Sequence, residues 1–206
     1  MIRRIVVTLA CFVAVTAAAG TRRVEFRACG VVFTMPASWS ARLRPAAEID
    51  DSMQCDMALR PRGWSRRAKH SRWGAPDPPL HLVIFKSNTS YDQALDQMGF
   101  ETDAGGNHGF GVPGGYGSFA TAEPYKAGAS TGQAAYSYFR GFINDEKLLS
   151  KDESRVFSGE IAHIVLKTAS GRVIAFECEG GTPDEPLNCE PVMQMIGRSI
   201  VFKPPR

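Results

Sequence analysis

The chain has 206 residues, a formal net charge of +3, 44% hydrophobic residues and 22% charged residues. Ordinary apolar content with a small net charge excludes disorder, and a single apolar run near helical length excludes a polytopic membrane protein. Twenty Gly and 13 Pro exclude a coiled coil, and the length suits one globular domain.

The first nineteen residues carry the clearest signal. Arg3 and Arg4 form a positive region, Ile5 to Val15 an apolar one, and Ala17-Ala18-Ala19 a small-residue cleavage site. This pattern predicts a secretory signal peptide over 1–19 and a mature α+β domain over 20–206. Cys11 lies inside the apolar region, where Thr8-Leu9-Ala10 is a poor lipobox, so no lipid anchor is expected. Removing two Arg and no acid leaves a mature net charge of +1, which gives no argument for a nucleic-acid partner.

Downstream, period-two apolar patterns alternate with Gly and Pro punctuation, so the mature chain reads as β-rich. Val31 to Met35 is a strand ended by Pro36, and Met53 to Leu59 a second. Residues 60–79 form a long basic loop. Leu80 to Lys86 is nearly all apolar and is expected to be central and covered on both faces. Ser90 caps a helix over Tyr91–Phe100, where Tyr91, Leu95 and Met98 recur at helical spacing. Seven of the fourteen residues in 104–117 are Gly, which predicts a loop. Ser118–Tyr125 and Gln133–Ile143 are strands. Arg155–Thr168 and Arg172–Glu179 make a hairpin around Ala169-Ser170-Gly171. Pro191 suits the first turn of a helix running to Ser199, and Ile200–Phe202 ends the domain. This order predicts an α+β fold, an antiparallel sheet with helices packed on it.

Five Cys less Cys11 leave Cys29, Cys55, Cys178 and Cys189. Four Cys in an exported chain predict two disulfides. Of the three connectivities, Cys29–Cys55 with Cys178–Cys189 is favoured, because both bridges are local and close short loops.

Two segments carry a family likeness. Cys29 to Leu43 (CGVVFTMPASWSARL) leads a short strand into a Pro36-Ala37-Ser38-Trp39 turn. Val192 to Pro204 (VMQMIGRSIVFKP) is a closing helix ending in an Ile-x-x-Ser-Ile-x-Phe-like run. Both resemble the PsbP-like superfamily, which includes small bacterial envelope proteins. The resemblance implies an α/β/α sandwich used as a binding or adaptor scaffold without catalysis. The family's metal-site residues find no match here, so no metal and no cofactor is carried over.

Other motifs compete with simpler explanations. Gly109 to Gly114 satisfies G-x-G-x-x-G, yet a helix precedes it and a strand follows, the reverse of a dinucleotide site. Gly128 to Gly132 satisfies G-x-S-x-G, which would make Ser130 a nucleophile with His163 as its base. A Gly/Ser/Thr cluster between two strands is more simply a hairpin turn. His81 and His163 lie in strands and read as structural residues. No His pair has zinc spacing.

The most unusual segment is residues 60–73, with six basic side chains, two Trp and no acid. Arg62, Trp64, Arg66, Arg67, Lys69, Arg72 and Trp73 are candidate binding residues, because Arg and Trp concentrate in hot spots. His108, Phe110 and Tyr116 in the Gly-rich stretch are a second group. The expectation is an exported, non-catalytic binding protein, periplasmic or secreted. Its partner would be a protein, with the chain serving as an adaptor or as an immunity protein against a secreted toxin. The alternatives are a serine hydrolase using Ser130 and His163, or an anionic membrane-surface binder acting through residues 60–73.

Overall fold

The computed structural model describes residues 20–64, 79–111, 119–142, 156–179, 181–182 and 185–203. The expected signal peptide lies outside them. Strands β1 (Thr21–Phe26) and β2 (Val31–Pro36) form a hairpin, followed by β3 (Trp39–Leu43), β4 (Met53–Pro61) and β5 (Leu80–Phe85). Helix α1 (Tyr91–Gln97) leads to β6 (Phe100–Thr102), β7 (His108–Gly111), β8 (Phe119–Thr121) and β9 (Glu123–Ala127). The long strands β10 (Ser130–Phe142), β11 (Val156–Lys167) and β12 (Val173–Glu179) follow. The chain closes with β13 (Gly181–Thr182), β14 (Glu185–Pro186), α2 (Glu190–Ser199) and β15 (Val201–Phe202).

Among the described residues the main sheet has seven antiparallel strands, in the order β3-β4-β5-β12-β11-β10-β9. Its two faces follow from strand alternation, since successive side chains point to opposite sides. Met57, Leu59, Leu82, Ile84, Ile164, Leu166, Ile174 and Phe176 face one way. There they meet Val192, Met193 and Ile196 of α2 and Val31, Phe33 and Met35 of β2. Strands β1, β2 and β15 form a second small sheet in this layer. On the other face Val83, Phe85, Val165, Val173 and Ala175 pack beneath Ala94, Leu95 and Met98 of α1 and its C-cap, and against Phe100. The fold is therefore α+β, an antiparallel sheet with a helix on each face.

Both disulfides fasten the first layer to the main sheet. Cys29–Cys55 joins the turn between β1 and β2 to β4, with Cα atoms 5.9 Å apart. Cys178–Cys189 joins the end of β12 to the N-cap of α2, at 6.3 Å. The local connectivity expected from the sequence is the one present.

Several boundaries differ from expectation: β4 runs on to Pro61, into the expected loop, and β10 begins already at Ser130, because each keeps its pairing with a neighbouring strand. The helix stops at Gln97, because Gly99 adopts φ +78° and turns the chain into β6. The Gly-rich stretch is not wholly loop, since His108–Gly111 pairs with β6 on one side and β8 on the other. Ladder bonds on both sides offset the weak intrinsic preference of Gly for strands. The strand expected over 118–125 divides at Ala122, whose N–H donates to the His108 carbonyl at 2.8 Å, so β8 joins the small sheet and β9 the main one. Strand β3 lies within the segment read only as a Pro-x-x-Trp turn.

Candidate functional site

Helix α1 covers only part of the face it packs on. Over β3, β4, the first half of β5 and the second half of β12 that face carries polar residues and opens into a groove of about 740 Å³. The register shows how local sequence builds it. In β4 the inward residues Cys55, Met57 and Leu59 alternate with Asp56, Ala58 and Arg60. In β12, Phe176 and Cys178 alternate with Glu177 and Glu179. Strand β3 adds Ser40 and Arg42 by the same rule, and Arg44 follows just beyond its end.

One cross-strand row spans the groove. Arg42 pairs with Ala58, Ala58 with His81, His81 with Glu177, and Glu177 with His163. Side chains directly opposite on one face are neighbours. A wall of arginine on β3 and β4 therefore faces a wall of glutamate on β12 across His81 and the small Ala58. Val83, Met53 and Met98 line the end nearest α1.

The polar contacts are specific. Asp56 is buried, and its Oδ2 accepts from Arg44 Nη1 at 2.9 Å while its Oδ1 lies 3.2 Å from His81 Nδ1. Arg44 Nε also lies 3.6 Å from Glu48 Oε2. Burial pushes the Asp56 carboxyl upward, but the hydrogen bonds and charges of His81 and Arg44 outweigh it and hold the group below its ordinary value. The Asp56 hydrogen bond raises His81 above its ordinary value against the opposing effect of burial. His163 behaves oppositely. It is 4% exposed, and burial pushes its imidazole down to about 4. Its Nδ1 lies 3.9 Å from Glu177 Oε2. Glu177 thus sits between one histidine that favours its proton and one held neutral.

Asp56 thus bridges Arg44 and His81 in one ion-pair network. Among the described residues no hydroxyl or thiol hydrogen-bonds to His81, and no group of three His, Cys, Asp or Glu could hold a metal ion. Nor is any helix among them long and apolar enough to cross a membrane.

The expected pairing of Ser130 with His163 is not formed. Ser130 is buried toward α2, where its hydroxyl donates to the Gly197 carbonyl at 2.9 Å. His163 pairs with Ala135, which belongs to the opposite face. The sheet itself separates the two side chains. The G-x-S-x-G segment is the hairpin turn between β9 and β10, with Gly128 at φ +66°.

The candidate binding residues of the two loops scatter, and none of those described lines the groove. Arg62 is exposed just beyond β4, and its N–H donates to the Ser38 carbonyl at 2.7 Å. Trp64 is 3% exposed. His108 lies in β7, with Nδ1 3.3 Å from Thr102 Oγ1. Phe110 sits opposite Phe100 and Ala120 in register. Arg66, Arg67, Lys69, Arg72, Trp73 and Tyr116 lie outside the described residues. Sequence reasoning read His81 as a structural residue and passed over Asp56, Arg42 and Glu177. For the three charged residues a signal exists, since Arg42 and Arg44, Asp56 and Arg60, and Glu177 and Glu179 each stand an even number of positions apart among apolar neighbours and so share one face of a strand. In comparison with known proteins, no family model matches the chain and no curated protein matches it.

Proposed function

We propose that this chain is an exported, non-catalytic binding protein with a PsbP-like scaffold, and that it engages a protein partner in the periplasm or outside the cell through the groove on its main sheet. The role is that of an adaptor or of an immunity protein. One observation carries the reading: half of a sheet face lies outside the cover of its helix and is lined by arginine, histidine and glutamate. The other half of the same face is closed by apolar packing beneath α1, so the charged half is set apart from it as a surface open to a partner. A cavity of about 740 Å³ falls within the range that occupies a ligand or an inserted side-chain cluster.

The PsbP-like scaffold is supported by β2 running through Pro36 into the Trp39 strand, and by a closing helix that ends in β15. Export is supported by the leader-like start and by the two disulfides. The test is affinity capture from the native envelope and secretome with the oxidised protein, run beside an Arg42→Glu/Glu177→Lys variant and read by mass spectrometry. A stoichiometric partner held by the parent protein and lost by the variant is the expected result. Identical captures from the two proteins, or none from either, contradict it.

A further inference from the structure

Apart from Asp56 and Glu48, which pair with Arg44, the groove's charges are sorted by strand, and this sorting specifies the chemistry of what it holds. Arg42, Arg44 and Arg60 come from β3, its end and β4, at one side. Glu177 and Glu179 come from β12, at the other. Arg44 is already committed to Asp56 and Glu48. Arg42 is exposed on edge strand β3, and the Glu177 side chain is 42% exposed. Between them the row falls to the methyl of Ala58 and the ring of His81, so space lies between the two walls. β3 and β12 are separated by β4 and β5, three inter-strand steps or roughly 14 Å. That is the length of about four extended residues. The end of the groove toward α1 is lined by Val83, Met53 and Met98, which suits an aliphatic side chain.

We infer that the groove binds a peptide segment of its partner that is dipolar, with a carboxylate against Arg42, a cationic side chain against Glu177 and, from the stretch between those two, an aliphatic side chain directed to the Val83, Met53 and Met98 end of the groove. A purely anionic ligand would meet the β12 carboxylates, and a purely cationic one the β3 and β4 guanidiniums. Only a segment carrying both charges in this order leaves neither wall facing a like charge, and opposed charges fix its direction as well as its place. This inference rests on the binding reading above but can fail separately from it.

The test is a chemical-shift titration of the oxidised protein with three end-blocked pentapeptides. One is acetyl-Glu-Ala-Leu-Ala-Lys-amide, and the other two replace its Glu or its Lys with Gln. The dipolar peptide should bind at least tenfold more tightly than either neutralised one, shifting the resonances of Arg42, His81 and Glu177. Arg42→Glu should abolish the advantage of the peptide's Glu, and Glu177→Gln that of its Lys. Both positions are surface-exposed, so the variants should fold, and their unchanged amide spectra away from the groove would show it. Equal binding of the three peptides, no binding by any, or an advantage that survives both substitutions would overturn the inference. So would binding of free lysylglutamate with no binding of the blocked peptides, which would mark a site for small zwitterions. Groove-dependent capture of a partner without peptide discrimination would leave the binding reading standing and this one refuted.

Discussion

At the scale of single residues, the two groove histidines should report opposite pH behaviour. His163 is held neutral by burial with its value near 4, below the ordinary 6.5. Its unfolded form takes up a proton first, so stability is full above about pH 6.5 and declines as pH falls toward 4. The loss from this group approaches about 3 kcal/mol. Denaturant titrations between pH 4 and 7 should show that component in the parent protein, and His163→Leu should lack it. His81 has the opposite sign. Its raised value favours the protonated folded form, so its contribution is full below about pH 6.5 and fades as pH rises through the folded value. Asp56→Asn removes the cause. A histidine NMR titration should then find His81 moved back down toward its ordinary value. The fold should lose about 1–3 kcal/mol, because Asn has one acceptor oxygen and no charge to serve both Arg44 and His81. A His81 titration unchanged in Asp56→Asn would refute the electrostatic account of this pair. These residues were hard to read in the sequence for a simple reason. His81 sits in the run Leu80–Phe85, where every neighbour is apolar, and one polar residue in such a run looks structural.

Individual elements were more legible where local chemistry dictates them. The Ser90 cap was readable because a capping box needs only Ser90 and Gln93: the Ser90 hydroxyl accepts from Gln93 N–H at 3.1 Å and the Gln93 side chain accepts from Ser90 N–H at 2.9 Å. Ser90→Ala should cost about 1 kcal/mol, measured by denaturant unfolding. The hairpin at Ala169-Ser170-Gly171 was equally local, with Gly171 at φ +78°. Pairing partners and splits were not local. Nothing in Phe119–Ala127 says that the chain leaves one sheet at Ala122 and enters another, since that depends on β7 and β10 arriving from elsewhere. Gly132 is a second nonlocal constraint. A Cβ there would run into the Val165 carbonyl and lie 2.9 Å from the Tyr91 hydroxyl, which itself donates to Val165 O at 3.1 Å. Gly132→Ala should therefore separate β10 from β11 and loosen α1. We expect a loss well above the ~1 kcal/mol of an ordinary substitution, with weakened amide protection along both strands.

For the whole molecule, the order of the predicted elements anticipated the α+β class and the cysteine count both disulfides, while the site depended on tertiary structure. Loop composition drew attention to residues 60–73 and 104–117, yet Trp64 is 3% exposed and His108–Gly111 became a strand. The groove draws on strands spread between Ser40 and Glu179, and only their side-by-side order turns scattered alternating charges into two opposed walls. The bridges hold the layer behind this surface. Loops of 26 and 11 residues should each contribute about 3 kcal/mol, so reduction should lower the unfolding midpoint markedly. The central claim is that a partner occupies the charged half of the sheet, and site-specific photo-crosslinking in the native envelope tests it most directly. With a photoreactive residue at Ser40 in the groove, at Arg62 and at His108, the account expects a discrete adduct from position 40 alone. Adducts from positions 62 or 108 with none from 40 would contradict it and return recognition to the loops.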